Sequence, residues 1–181
     1  MTEKRDRTVG RSFRVNERWL KALDEEAERN GTTPNNLINR ILRDYCLFYR
    51  YLKRLDGMVL TQETLSRYVE AIPKEKLSEI AQKAGYTVAL DLFRTMGLRY
   101  NYEDAVFFVT VILGEYANWF KCEHYIVKDE EVFHLRHKLG ENWSFYVSEV
   151  VSSILAHCCN RKVKREILDG AVTLEMPIYQ P

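Results

Sequence analysis

The sequence lacks several features that identify whole classes of protein. No apolar run approaches the roughly 20 residues that span a bilayer, and the opening residues MTEKRDRTVG have no apolar core of a signal peptide. Only 4 cysteines occur in 181 residues, and they are scattered, which is typical of free thiols and not of a disulfide framework. These absences predict a cytoplasmic protein that does not enter the membrane.

Motifs that carry common enzyme chemistry are also missing. The sequence has no glycine-rich phosphate loop, and the patterns HExxH, CxxC and G-x-S-x-G do not occur. The acidic run Asp129-Glu130-Glu131 separates two alternating segments, which favours a solvated turn over paired catalytic carboxylates. We therefore predict no catalytic residues and no cofactor, and a protein that is not an enzyme.

Charge is balanced over the whole chain but not along it. The net charge is +1, yet residues 1–56 hold 13 Lys or Arg and 9 Asp or Glu, a balance of +4, and the remainder has a balance of −3. Contacts to phosphates supply much of the affinity of DNA-binding proteins. A positive balance confined to the N-terminal part is the asymmetry expected if that part contacts phosphates.

That N-terminal part contains a distinctive order of secondary-structure signals. In residues 9–15, VGRSFRV, a period of two places Val9, Phe13 and Val15 on one face and Gly10, Ser12 and Arg14 on the other, which predicts a strand with two different faces. Asn16 is an N-cap residue in front of a helical pattern, and Thr32-Thr33-Pro34 opens a second helix, with a threonine as cap and the proline in the first turn. The predicted order is strand, helix, turn, helix.

This order resembles the ribbon-helix-helix DNA-binding proteins of the Arc, MetJ and CopG type, over about the first 50 residues. The resemblance implies a homodimer, in which the strands of two chains form an antiparallel ribbon that reads the DNA major groove. A physical reason points the same way, because one strand and two short helices bury too little apolar surface alone. The expected partners are double-stranded DNA and a second copy of the chain, and the expected function is transcriptional regulation.

The predicted DNA contacts lie on three parts of this segment. The polar strand face would reach base edges, where an arginine can bond guanine and a serine either type of base. The start of the second helix would hold a phosphate, and the basic arm before the strand would reach the DNA backbone. The alternative is a solvated strand face and a solvated, charged terminus. The predicted base contacts are Gly10, Ser12 and Arg14; the predicted phosphate contacts are Thr32, Thr33, Asn35, Asn36, Lys4, Arg5 and Arg7; the predicted dimer core is Val9, Phe13, Val15, Leu20, Leu37, Ile38 and Ile41.

A second domain is predicted from residue 57 onward, after an aromatic-rich extension of the second helix through residues 48–55. Several helical patterns come first, followed by two hairpins, 122–127 with 132–139 and 163–168 with 171–176. A helix capped by Asn142 lies between the hairpins. This layout predicts an α+β domain, 57–181, with helices and a small antiparallel sheet, after a ribbon-helix-helix domain, 1–56.

The chemistry of the predicted second domain leaves its role open between three alternatives. The first is a sensing or oligomerising domain, whose clustered aromatics form a core or line a pocket for an effector. The second is an antitoxin-like domain that binds a protein partner. The third is a metal or thiol sensor, with Cys122, His124 and His134 as candidate ligands. Strand geometry argues against the third, because His134 and His137 would point to opposite faces, and we predict no metal site.

Overall fold

The computed structural model describes residues 9–178 and divides the chain into two compact units, Met1–Leu47 and Phe48–Pro181. The sequence-based boundary at residue 56 differs from this division, which lies inside the extended second helix. The aromatic extension of that helix therefore belongs to the second unit. Within the described residues, no helix is both long enough and apolar enough to cross a membrane.

The described part of the first unit contains the helices α1 (Glu17–Arg29) and α2 (Pro34–Asp44). The side chain of Asn16 accepts a hydrogen bond from the Arg18 amide at 3.0 Å, and Thr33 Oγ1 accepts one from the Asn36 amide at 3.2 Å. Both predicted helix starts are confirmed. Each could be predicted from the sequence because a cap residue lies next to the helix that it caps.

Residues 9–15 form no strand in the single chain, and all of them are exposed. The strand predicted over residues 9–15 is therefore absent from the described chain, and of the predicted strand, helix, turn and helix only the two helices and their turn are present. A strand is held by hydrogen bonds to a neighbouring strand, and within residues 9–178 no strand pairs with this segment. Its alternating pattern alone cannot hold it extended.

The second helix extends beyond α2, as predicted. The extension consists of a π-helical segment, Tyr45–Tyr49, which was not predicted, and α3 (Arg50–Arg54). Inside the second unit, the ring of Phe48 stacks on Tyr116 with centroids 5.6 Å apart. The buried Tyr51 donates a hydrogen bond from its hydroxyl to the Met96 carbonyl at 3.3 Å. The aromatics of this extension are therefore packing residues of the second unit.

The helices that follow surround one apolar core. They are α4 (Gln62–Glu70), α5 (Lys74–Lys83), α6 (Ala89–Met96), α7 (Tyr102–Phe107) and α8 (Glu141–Cys159), with π-helical segments at Ala84–Val88 and Phe108–Tyr116. The expected cap of α8 was wrong: Gly140 takes the cap position and Asn142 is buried. The Asn142 side chain instead donates hydrogen bonds to the carbonyls of Val69 and Ile72, at 3.2 and 3.1 Å, and joins α8 to the end of α4.

Within residues 9–178, four antiparallel strands form one sheet in the order β1-β2-β4-β3. Their bounds are β1 (Lys121–Val127), β2 (Glu130–Arg136), β3 (Lys164–Leu168) and β4 (Ala171–Pro177). Phe133, Leu135 and Leu174 are fully buried on one sheet face, and α8 packs against β3 and β4. The predicted α+β architecture and both predicted hairpins are confirmed.

Candidate functional site

The first unit buries little of its apolar surface in the single chain. Among its described residues, the buried apolar side chains are Ala27 and Leu37. Phe13 is 63% exposed and Trp19 is 67% exposed, although an aromatic side chain is costly to leave in water. Of the seven residues predicted to form a dimer core, Leu37 is buried and Ile38 half-buried, and the exposed ones are Val9, Phe13, Val15, Leu20 and Ile41.

The residues predicted to reach base edges, Gly10, Ser12 and Arg14, are all exposed in the single chain. They lie in the segment that forms no strand, so they share no sheet face here. The basic arm residues Lys4, Arg5 and Arg7 lie outside the described residues.

The start of α2 offers fewer free amides than the sequence suggests. Pro34 has no amide hydrogen, and the Asn36 amide is used by the Thr33 cap. Thr32 donates its own amide to the Ala27 carbonyl at 2.9 Å. A phosphate at this position would therefore bind the amide of Asn35 and the exposed side chains of Asn35 and Asn36.

The three candidate metal ligands of the second unit lie on two different faces of the sheet. Residues directly opposite in an antiparallel pair share a face. Cys122 is opposite Leu135 on the core face, whereas His134 is opposite Glu123 on the outer face. His124 shares the core face with Cys122 but bonds a carboxylate, and His134 Nδ1 lies 3.1 Å from Thr173 Oγ1.

The part of the chain that the structure describes contains no group of three or more His, Cys, Asp or Glu side chains placed to hold a metal ion. The thiols are also poor ligands at neutral pH. Burial raises the pKa of Cys122, and of Cys159 at the end of α8, to about 11. A soft metal binds the thiolate, which these environments disfavour.

A buried polar cluster that the sequence did not predict lies on the core face of the sheet. Glu131 is only 1% exposed, and its Oε2 accepts a hydrogen bond from the Tyr102 hydroxyl at 2.7 Å. The same oxygen is 3.2 Å from Nε2 of His124, whose ring stacks on Phe133. Burial, and then the bond to Glu131, raise the pKa of Tyr102, so its hydroxyl remains a donor.

The expectation that Glu131 lies in a solvated turn was therefore wrong. The turn between β1 and β2 contains Lys128 and Asp129 only, and Glu131 is part of β2. With a two-residue turn, alternation along β2 places Glu131 on the same face as Phe133 and Leu135. The sequence spacing therefore contains enough information to predict that Glu131 faces the core. It does not indicate that Tyr102 and His124 are its partners.

The aromatic residues of the second unit mostly pack on one another. Phe93 and Phe108 are fully buried with ring centroids 4.7 Å apart, and Trp143 stacks on Tyr146 at 5.1 Å. Of the two interpretations left open for these residues, the structure supports a core for this group.

Comparison with models of known protein families gives no match, and comparison with curated proteins gives no significant match.

Proposed function

We propose that the protein is a homodimeric, sequence-specific DNA-binding regulator of the ribbon-helix-helix type. The observation that supports this proposal most is the exposed apolar surface of the first unit. Val9, Phe13 and Val15 form the apolar half of an alternating segment, and Trp19 and Leu20 follow on α1, all of them exposed in the single chain. Two helices and an unpaired segment cannot cover these side chains, and a second copy can.

The proposed dimer pairs residues 9–15 of two chains as an antiparallel two-stranded ribbon. Pairing satisfies the backbone groups of both segments and places Val9, Phe13 and Val15 of each chain against the helices. The opposite face then carries Gly10, Ser12 and Arg14. A two-stranded ribbon fits the major groove, so these side chains would contact base edges.

Phosphate contacts in this proposal come from the basic side chains and from the start of α2. Asn35 and Asn36 are exposed there, and the excess positive charge of residues 1–56 favours approach to DNA. Phosphate contacts fix the position of the protein on the duplex, and Arg14 and Ser12 supply the choice of sequence.

The second unit is proposed to sense an effector or to assemble the dimer into larger species. Its own core includes Phe93, Phe133 and Leu155, each fully buried. Such a core favours this role over the antitoxin alternative, in which the segment gains its order from a protein partner. A fragment of residues 48–181 should then unfold cooperatively by itself. If it ordered only after a partner was added, the antitoxin alternative would replace this proposal.

Selection of bound duplexes from a random DNA pool tests the proposed function directly. The expected result is an enriched site with two related half-sites, because a symmetric dimer reads a symmetric operator. Enrichment without a shared sequence would reduce the proposal to non-specific DNA binding, and no enrichment at low salt would reject it.

A further inference from the structure

A cleft at one end of the sheet in the second unit is lined by positive charge. It lies where the segment before β1 meets the residues after β2, beside the first turn of α4, and its volume is about 230 Å³. Its lining includes Lys121, Arg136 and Lys138, together with Trp119, and it contains no Asp or Glu. A concave surface with one sign of charge concentrates the field that attracts a ligand of opposite charge.

Strand pairing brings two of these cations together. Lys121 and Arg136 are directly opposite one another in the register of β1 and β2. Like charges in opposite positions are unfavourable unless a negative charge lies near them. Glu123 forms an ion pair with Arg136, whereas among residues 9–178 no carboxylate lies within ion-pair distance of Lys121 or Lys138. A bound anion would supply the negative charge that the protein does not.

The aromatic wall of the cleft is held in place by backbone hydrogen bonds. Asn118 has a φ of 53° and turns the chain toward β1, and its carbonyl accepts a bond from Gln62 Nε2 at 3.2 Å. The Trp119 amide donates to the Leu113 carbonyl at 3.0 Å, and the Trp119 carbonyl accepts from Trp143 Nε1 at 3.1 Å. A wall that is already ordered costs little additional entropy when a ligand binds.

His137 also lines this cleft but contributes no charge to it at neutral pH. Its Nδ1 accepts a hydrogen bond from the Leu139 amide at 3.2 Å, which assigns the proton to Nε2, 3.1 Å from Ser144 Oγ. Burial lowers the pKa of His137 and favours the neutral ring. The unbalanced positive charge of the cleft therefore comes from the two lysines, because Arg136 is already paired with Glu123.

We propose that this cleft binds a small organic anion. Its carboxylate or phosphate group would form charge-assisted hydrogen bonds with Lys121, Lys138 and Arg136, and its apolar part would lie against the ring of Trp119. The volume is below the about 300–1,000 Å³ of pockets that hold drug-sized ligands, so the ligand is small. A DNA duplex is too wide to enter a cleft of this size, so the cleft suits a small anion better than the phosphates of a duplex. The site goes beyond the proposed DNA-binding function and does not depend on it.

Calorimetric titration of the full-length protein without DNA tests this site. The probes are phenyl phosphate, benzoate and inorganic phosphate, which separate the two anionic groups from each other and from the ring. We expect saturable binding of at least one ring-bearing probe with one site per chain, and weaker binding of inorganic phosphate. The double variant Lys121→Met, Lys138→Met should weaken that binding at least tenfold, because it removes both unpaired cations.

A matched control removes the same charge elsewhere in the second unit. The double variant Lys83→Met, Lys162→Met changes two exposed lysines outside the cleft and should bind the probe as the unchanged protein does. An equal loss in both double variants would mean non-specific attraction, and an absence of saturable binding by all three probes would also overturn the site. If the cleft variant instead lost DNA affinity while no probe bound, the lysines would be DNA contacts and the proposal would be wrong.

Discussion

The hydroxyl of Tyr102 donates a hydrogen bond to Oε2 of Glu131 across 2.7 Å, which links the first turn of α7 to the core face of β2. Glu131 is 1% exposed, so its carboxylate has protein groups in place of water. His124 approaches the same oxygen at 3.2 Å. A buried carboxylate that loses one such donor retains its desolvation cost, so this bond matters more than an exposed one.

Replacement of Tyr102 with Phe should therefore destabilise the second unit. The expected loss in the free energy of unfolding is about 1–3 kcal/mol, the cost of leaving a buried polar group short of a partner. Urea denaturation followed by circular dichroism measures it. Tyr125→Phe is the control, because Tyr125 is exposed on β1, and it should change stability by no more than about 0.5 kcal/mol. Equal effects of the two variants would mean that the Tyr102 hydroxyl has no special role.

The features that were predicted correctly depend on neighbouring residues in the chain. The caps Asn16 and Thr33 bond amides two and three residues away, so the local pattern was sufficient to place them. The hairpin of β3 and β4 likewise turns at Asp169-Gly170, with Gly170 at a φ of 74° that glycine adopts without strain.

The features that were missed depend on residues distant in the chain or on a second chain. Asn142 has the chemistry of a cap, but it bonds the carbonyls of Val69 and Ile72 from another helix, and no local pattern contains that information. Glu131 was misplaced because the predicted turn was two residues too long, which left Glu131 outside the strand that contains Phe133 and Leu135. Residues 9–15 lack a partner strand within the described chain, so their pairing remains a prediction.

A charged substitution at Phe13 tests whether the apolar face of residues 9–15 is buried in a dimer. Phe13→Glu should convert the dimer to a monomer, because a carboxylate would be buried between the proposed ribbon and its helices without a partner. Light scattering should then report a mass near 21.4 kDa, in place of about twice that value for the unchanged protein. Ser12→Glu places the same charge on the proposed outer face and should remain dimeric. A dimeric Phe13→Glu protein would refute the inward assignment.

Thiol reactivity should follow burial. Cys46 is exposed, whereas burial raises the pKa of Cys122, Cys158 and Cys159 to about 11. The reactive form is the thiolate, so at pH 8 a thiol reagent should modify Cys46 at least about tenfold faster than the other three. Their rates should rise as the pH approaches 11, because the thiolate fraction grows with pH below the pKa. Mass spectrometry of timed samples measures this, and denatured protein provides the reference in which all four react. Similar rates in the folded protein would contradict the burial of these thiols.

The most specific prediction of the proposed function concerns Arg14. Arg14→Ala should weaken binding to the selected operator by about 1–3 kcal/mol and relax the preference at one base position, because an arginine on the ribbon bonds two acceptors of a guanine. Arg18→Ala removes the same charge from an exposed position on α1. It should weaken binding by the same factor for every DNA sequence, and by less than Arg14→Ala weakens binding to the operator. Titrations of both variants against operators that differ at single positions make the comparison. A uniform loss for Arg14→Ala would identify Arg14 as a phosphate contact, and base recognition would then rest on other side chains of the ribbon.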